Sequence, residues 1–544
     1  MNVLIDGKYR WKSLREEGLT CWYAGSERAV QALAAFLWES PGTDAERLKE
    51  TLQGIVGHYA LVAEDRDRIV AVVDRVRSYP VFYLQGEKGV TISNSARGLK
   101  RISPNLEVDD LSCLEFRMAG YVTGRDTLYR GLYQLQAGEF LIGRKAEETL
   151  ERHRYFLFYP ERLRDPRTDD LIQELDTITD GIFRRVLEEA GGAPIWVPLS
   201  GGLDSRLVLC KLKQLGYDNL HAFSYGPPHN HEAKWAREVA KKVGVPWGFF
   251  PYRTRKVRNF FQSPLRRKYW DFSGELCSLP FMTDEVAINT LMQKGLVREG
   301  CVFVNGQSGD FISGGHAQGY HQPILPGDSG PYRFDSVTSA ILRKHYALDH
   351  RLSGKEHQER IAGKIRTLVG PSSDVLLTAQ QVVQYYEWWE WQERQSKFVV
   401  NGQRSYDFFG MDWALPLWAD EYLFFWREIP YVLRHRQALY KRYLDRMDFY
   451  GVFRRFKPVV WNWQGLSLAA VPVGSLLRRL LGAEASAAFY HYASYFGKYH
   501  GHYAPFGFLR WLRNAGQIKS PLVFYVETLF HEEGWVRDKG CANS

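Results

Sequence analysis

Apolar positions change their spacing along this chain. Through residues 1–150 they tend to alternate with polar ones and are rich in β-branched side chains, a period of two that predicts strands. Strands are expected at 55–63, at 69–74, and on either side of the turn Gln85 to Gly89, over 81–83 and 90–92. Strand character resumes over 131–142, and one helix, 28–39, interrupts the set. A charged stretch at 161–170 reads as a linker or helix entry. Beyond it strands and helices alternate. A helix is expected over 171–190 and a short apolar run over 194–199. A helix over 202–215 follows, with Leu203, Leu207, Val208 and Leu212 apolar, then a strand over 220–224. The helix over 232–243 turns Ala236, Val239, Ala240 and Val243 inward, and Cys301 to Val304 is a buried-strand pattern. Strand, helix, strand, helix implies a parallel sheet covered by helices. From residue 380 the chain reads as mainly helical, and no internal repeat is found. The fold class is therefore α/β (α+β overall). Its expected parts are a β-rich region at 1–155, a parallel-sheet domain at 165–465, and a helical, aromatic-rich extension at 466–544.

Composition narrows the partners. A chain of 544 residues, 45% hydrophobic, is long enough for several domains with cores of their own. The excess of 71 Lys and Arg over 62 Asp and Glu is mild and suits small anionic substrates. Without a long basic run interleaved with aromatics, nucleic acid is not expected as a partner. Six scattered cysteines show no CxxC pair, so neither a zinc site nor a disulfide framework is expected, and a reducing cytoplasm fits best. The N-terminus shows no secretory signal. No transmembrane segment is expected, since the nearest candidate, 466–481, is interrupted by Arg478 and Arg479 and reads as a buried or surface helix. Aromatics make up 15% of the chain and gather after Trp388, which points to a large aromatic core in preference to a membrane-facing surface.

The chemistry begins where the run 195–199 enters Ser200-Gly201-Gly202-Leu203-Asp204-Ser205. A strand, a glycine-rich turn and a helix start place free N–H groups and the positive helix end at one point, an anion site. Leu199, Ser200, Gly201, Gly202, Asp204 and Ser205 are the candidate nucleotide-binding residues. Asp204 would repel phosphate unless a cation lay between, so it is assigned to Mg²⁺. The loop lacks the Walker A pattern. It resembles the PP-loop of ATP pyrophosphatases, SGGxDS, which cleave ATP between the α- and β-phosphates. A second segment, Asn305-Gly306-Gln307-Ser308-Gly309-Asp310, again sets glycines and one acid at the end of an apolar strand. It adds Asn305 and Gly306 to the nucleotide site and Asp310 as a second Mg²⁺ ligand.

In these segments the chain resembles the asparagine synthetase family. Residues 305–315 are similar to that family's SGxGxDExxGGY loop. His221-Ala222-Phe223-Ser224-Tyr225-Gly226 resembles the strand that holds adenine, which puts Tyr225 in the nucleotide site. Residues 404–410 and 415–421 fall where the family has its RxDR and RxPxLD patterns, and Arg455-Phe456-Lys457 where it has RxK. The resemblance makes Lys457 a catalytic residue. A cation there would also be needed to stabilise charge on the α-phosphate and departing pyrophosphate. In the first half, 57–62, 74–83 and 131–138 resemble scaffold motifs of the family's Ntn-type glutaminase domain. The implied architecture is a glutaminase-like remnant followed by a HUP-like PP-loop domain.

Departures from the pattern shape the functional expectation. The family's glutaminase uses a cysteine at position 2, whose amine serves as base; here position 2 is Asn2, and the glutamine-holding segments are missing. Residues 19–25 fall near a glutamine-holding strand, so the nucleophile strand is expected to be shortened or lost. Cleavage before Cys21 would leave too little chain for a glutamine pocket. Gln307 stands where the family usually has Glu, and His316 where it has Tyr; His316 would supply basicity if it lies close, and both are kept as candidate catalytic residues. The resemblance implies ATP and Mg²⁺ as cofactors, with a small-molecule carboxylate and ammonia or an amine as partners. A separate ammonia-supplying glutaminase and a homodimer are further expectations. The activity is read as an AMP- and pyrophosphate-forming amide ligase. By analogy its substrates include sugar uronic acids of surface polysaccharides. The alternatives are a conventional asparagine synthase fed by free ammonia or a partner glutaminase, and a non-catalytic binding homologue.

Overall fold

Among the described residues, ten strands lie in the first 155 positions. The computed structural model describes residues 1–16, 18–86, 89–165, 167–228, 230–319, 328, 330–370, 375–454, 470–497 and 505–535. The strands are β1 (Asn2–Leu4), β2 (Lys12–Glu16), β3 (Leu19–Gly25), β4 (Tyr59–Glu64), β5 (Arg68–Val73), β6 (Phe82–Gly86), β7 (Gly89–Ser93), β8 (Leu132–Gln134), β9 (Glu139–Arg144) and β10 (Thr149–Arg154). They form a four-stranded sheet, β1-β7-β6-β8, and a six-stranded one, β10-β9-β5-β4-β3-β2. Every pairing is antiparallel except that of β1 with β7. Period-two alternation accounts for the layering. Ala60, Val62, Ala71 and Val73 meet Val81, Tyr83 and Ile92 in one core. The alternate residues Leu61, Val70 and Val72 belong to the main core with Leu33, Leu37, Leu48 and Leu52 of α1 (Glu27–Glu39) and α2 (Ala45–Gly54). Beside the smaller sheet, α3 (Ala96–Ile102) packs on β6, β7 and β8, and α4 (Asp110–Ala119) follows it. Ser26, Asp44, Ser95 and Asp109 cap these four helices with side-chain oxygens.

Two expected strands are broken by backbone geometry. The run at 55–63 becomes a strand only from Tyr59, because Gly57 sits at φ 128°. The stretch 131–142 divides into β8 and β9, which belong to different sheets. Gly138, at φ 70°, makes the turn between them, and a Cβ there would lie 2.8 Å from Phe156. The short strands β1 to β3 and the helices α2 to α4 were not anticipated from the spacing.

The five-stranded sheet that follows is wholly parallel. It comprises β11 (Ile195–Pro198), β12 (Leu220–Gly226), β13 (Trp247–Pro251) and β14 (Val302–Val304), with β15 (Tyr332–Arg333) and β16 (Leu376–Leu377) forming a separate antiparallel ribbon. β17 (Asp412–Ala414) completes the order β13-β12-β11-β14-β17. The strand β17 lies in a stretch expected to be helical. From β11 the chain builds outward to β13, then returns to the opposite side of β11 with β14. That reversal makes the tips of β11 and β14 the switch point where open α/β sheets bind ligands. The helices α5 (Thr168–Ala190), α6 (Leu203–Gln214) and α7 (His231–Val243) pack in sequence beside it. An N-terminal β-rich region followed by a parallel sheet with many helices is the α/β (α+β overall) arrangement expected.

Buried polar contacts join the two halves. Asp420 accepts a hydrogen bond from Gly57 N–H at 2.7 Å and lies 3.4 Å from Arg75. Lys397, fully buried, lies 2.5 Å from Glu393 and donates to the carbonyl of Gly124 at 2.6 Å. Glu393 in turn accepts from Gly124 N–H at 2.7 Å and from Gln136 at 3.0 Å. Glu393 and Lys397 sit on a stretch of π-helix, Glu390–Val399, that continues the α-helix Ala379–Trp389.

Candidate functional site

The loop after β11 is held by its own hydroxyls and by β12. Leu199 N–H donates to Phe223 O at 2.8 Å and Ser224 Oγ donates to Leu199 O at 2.6 Å. Ser205 Oγ accepts from Ser200 N–H at 3.1 Å, and Ser200 Oγ accepts from Gly202 N–H at 3.1 Å. Gly202 precedes the first turn of α6 with an extended backbone and no side-chain cap, so the helix start keeps donor N–H groups for an anion. Gly201 is buried and Gly202 exposed.

The second glycine loop lies directly on the first. A Cβ built on Gly306 would sit 2.8 Å from Ser205 N, and one on Gly309 would sit 2.8 Å from the Asp204 carboxylate. Only glycine permits this approach. It brings together the two expected metal ligands: Asp204 accepts the backbone N–H of Asp310 at 2.9 Å. Tyr440 also donates to Asp204, at 3.1 Å. Burial, then the neighbouring Asp310 charge, push the Asp204 carboxyl up to about 7. Two acids sharing a pocket in this way raise the energy of the doubly ionised state, which a divalent cation relieves. Asp204 and Asp310 therefore fit the chemistry of a Mg²⁺ site.

His316 lies against this pair. Its Nε2 is 3.1 Å from Asp310 Oδ2 and its Nδ1 is 2.5 Å from Glu390 Oε1. Burial works against its charge, but Glu390 and Asp310 prevail and hold the imidazole up at about 9. Near neutral pH it is therefore an imidazolium donating from both nitrogens. Burial likewise opposes the charge on Asp310, yet the hydrogen bond and charge of His316 keep its carboxyl below the usual range. Glu390 is fully buried. Despite that burial it is held well below the usual range by His316, His345 and Lys344; Lys344 Nζ lies 3.1 Å away. A line of alternating charge thus runs from Asp310 through His316 and Glu390 to Lys344.

The remaining expected residues take separate places. Gln307 accepts from Gln403 Nε2 at 2.6 Å, so two amides face each other beside Gly402. Asn305 donates to Tyr406 OH at 3.2 Å. Tyr225, at the end of β12, donates to Asp284 and stacks on Tyr252 with ring centroids 5.2 Å apart. Asp284 also accepts from Tyr406, so it ties Asn305 to Tyr225 beneath the sheet tips. Lys457 lies outside the described residues. Glu390, Lys344, Tyr440, Gln403 and Asp284 escaped sequence reasoning. They come from distant helices and loops, and nothing in a run such as Glu387-Trp388-Trp389-Glu390 marks a carboxylate aimed inward.

Neither Asn2 nor the buried Cys21 offers an exposed thiol. Asn2 lies in β1, paired with Thr91. Cys21 sits inside β3, between β2 and β4, and burial pushes its thiol up to about 12. A protonated thiol buried in mid-sheet is a poor nucleophile.

Residues 188–447 match the protein-family model described as asparagine synthase. The match takes in both glycine loops, His316 and Glu390, and it supports an ATP-using carbon–nitrogen ligase family. A stretch of 162 residues is 28% identical to Amidase chry2 of Gibberella zeae, covering 28% of this chain and 22% of that protein. Another of 65 residues is 40% identical to the 7-cyano-7-deazaguanine synthase of Polynucleobacter asymbioticus, covering 12% and 26%. The chain thus spans 22% and 26% of the lengths of these curated relatives. Among solved structures, glutamine phosphoribosylpyrophosphate amidotransferase from B. subtilis, complexed with ADP and GMP, is 13% identical. That alignment has a TM-score of 0.18 and covers 56% of this chain and 60% of that one. A structure described as the allosteric regulatory enzyme of purine biosynthesis gives 13%, 0.18, 55% and 58%.

Proposed function

We propose that the chain is an adenylate-forming amide ligase that binds MgATP at the loop 199–205 and joins a carboxylate to ammonia or an amine. The observation that carries this reading is the contact of the two glycine loops at the switch point, with Asp204 bonded to the backbone of Asp310. Asp204 and Asp310 would hold Mg²⁺, which supplies charge to phosphate oxygens. Leu199, Ser200, Gly201, Gly202, Ser205, Asn305 and Gly306 would surround the phosphates, with Tyr225 on the nucleoside side. In the first step a carboxylate oxygen attacks the α-phosphorus, the bond to the bridging oxygen breaks, and pyrophosphate leaves. In the second the nitrogen attacks the acyl carbon, AMP leaves, and the nitrogen loses a proton. Lys457 is assigned to charge building on the phosphates. His316, held by Glu390, keeps Asp310 ionised and oriented, and Gln307 faces the acyl group as a neutral amide.

In this reading 1–155 is a glutaminase-like domain without a nucleophile, 165–465 is the synthetase domain and 466–544 an extension. Nitrogen then comes from free ammonia, a substrate amine or a partner glutaminase, in a cytoplasmic enzyme. A sugar uronic acid of a surface polysaccharide is the proposed carboxylate, with aspartate the alternative. The test incubates purified protein, MgATP and ammonium with aspartate or with a panel of uronic acids. The expected products are AMP and pyrophosphate, dependent on one carboxylate. ADP and phosphate as the nucleotide products would reject adenylation, and nucleotide binding without turnover on any carboxylate would favour a binding homologue.

A further inference from the structure

The chain after the synthetase sheet carries an apolar surface that the reaction does not use. Seven of the seventeen large hydrophobic side chains exposed among the described residues lie between Val473 and Leu512. They belong to two helices, Ala470–Gly497 and Phe508–Arg513. The longer helix is broken at Gly482, whose φ of 90° and ψ of 178° only glycine adopts readily. The break folds it into a hairpin of two arms. Ser486 Oγ donates to Gly474 O at 3.0 Å across the hairpin, and a Cβ on Gly474 would lie 2.2 Å from the Tyr490 ring. The first arm is thereby clamped through Gly474.

Helical spacing decides which side of that arm faces outward. Val473, Leu476 and Leu480 fall on one face at i, i+3 and i+7, turned away from the side of Gly474. Their exposures are 43%, 55% and 69%, and Leu481 beside them reaches 68%. Leu509 and Leu512 of the second helix are 65% and 46% exposed. Rows of leucine turned outward on an ordered hairpin mark a contact surface. The charges around them have one sign. Among the described residues of 470–516 they are Arg478, Arg479, Arg510 and Arg513 against Glu484 alone. Arg510 is engaged by Glu527, while Arg478, Arg479 and Arg513 are exposed.

We propose that this surface lies on an anionic phospholipid bilayer, with the leucines in the acyl boundary and the arginines at the phosphates. Leucine beside arginine is the composition of a helix lying in the membrane interface. No described helix is long and apolar enough to cross a membrane, so the contact is with one leaflet. A second copy is a poorer occupant, because facing hairpins would set Arg478 and Arg479 against their own images. The inference is independent of the proposed reaction and places that reaction beside a membrane.

The test is co-sedimentation of the full chain with phosphatidylcholine vesicles, with and without phosphatidylserine. The wild type is expected to pellet with the anionic vesicles and to be released by high salt. Leu476→Asp with Leu480→Asp and Leu481→Asp should abolish binding. Arg478→Glu with Arg479→Glu should weaken it at least about tenfold, from the usual contribution of a basic residue at an anionic surface. All these side chains are exposed, so both variants should melt with the wild type. Failure of the wild type to bind, or unchanged binding by the leucine variant, would overturn the proposal. So would a wild-type dimer in sedimentation velocity that the leucine variant abolishes while vesicles bind neither.

Discussion

Asp204 meets burial, a neighbouring carboxylate and two donated hydrogen bonds at once, and its charge is the term that a cation would settle. Asp204→Asn keeps the volume but removes the charge, and Asp310→Asn does the same across the loop contact. Each is expected to lower Mg²⁺-dependent turnover by at least about a hundredfold, the range typical for losing a preorganised charge stabiliser. For Asp204→Asn, melting without metal should stay near the wild type or rise, since burial of a charged Asp204 is unfavourable. Steady-state kinetics over a Mg²⁺ series checks this; near wild-type turnover in either variant removes that residue from the metal site. His316 adds a pH dependence. Its folded-state pKa, about 9, lies above the ordinary 6.5, so the folded protein holds this proton more tightly than the unfolded chain. The stabilisation is full below 6.5 and is lost as pH rises through about 9. Glu390, Asp310 and Lys344 are the charged groups facing it. Melting temperatures measured without metal or nucleotide should therefore fall between these two pH values in the wild type and fall less in His316→Gln. Parallel curves for the two proteins would show that His316 gains no proton affinity on folding.

At the scale of elements, the two glycine loops work only as a pair. A methyl on Gly309 would meet the Asp204 carboxylate and Leu417 at 2.8 Å. Gly309→Ala is expected to part the loops without disturbing β11 or β14. The variant should fold but lose the rise in melting temperature given by MgATP, with turnover falling together with nucleotide binding. An unchanged thermal shift would mean that the loops need not touch. These loops were legible in the sequence because each is a local pattern, apolar strand followed by glycines and one acid. The order of strand and helix through 168–243 was legible for the same reason. What escaped was non-local. Spacing does not tell that β17 would leave a helical region to pair with β14, or that 131–142 would be split between two sheets. Glu390 was hidden in an aromatic helix. Its meaning depends on His316, His345 and Lys344, which reach it from other segments.

At the scale of the whole molecule, the N-terminal region and the C-terminal half share a buried polar seam. Lys397 and Glu393 are both buried, so removing one leaves the other's charge uncompensated. Glu393→Gln is expected to destabilise the protein by about 3–5 kcal/mol, the usual cost of breaking a buried ion pair by removing one partner. Chemical denaturation followed at tryptophan checks this, and a change below about 1 kcal/mol would place the pair in the range of solvent-screened bridges.

The π-wound stretch Glu390–Val399 gives that seam a mechanical meaning. A π-helix carries more residues in each turn than an α-helix and fans its side chains over a wider arc. Here Glu390 and Gln395 reach toward the loop of Asp310, through His316 and Ser308. Trp391, Gln392, Glu393 and Lys397 reach the N-terminal region, at Arg75, Ala137, Gly124 and Gln136. One rod therefore has a hand in both halves. Loss of a single residue within it would turn everything downstream about the helix axis, unseating the site and the seam together. This segment should behave as a fixed-length part, tolerant of exchange at some positions and of insertion or deletion at none.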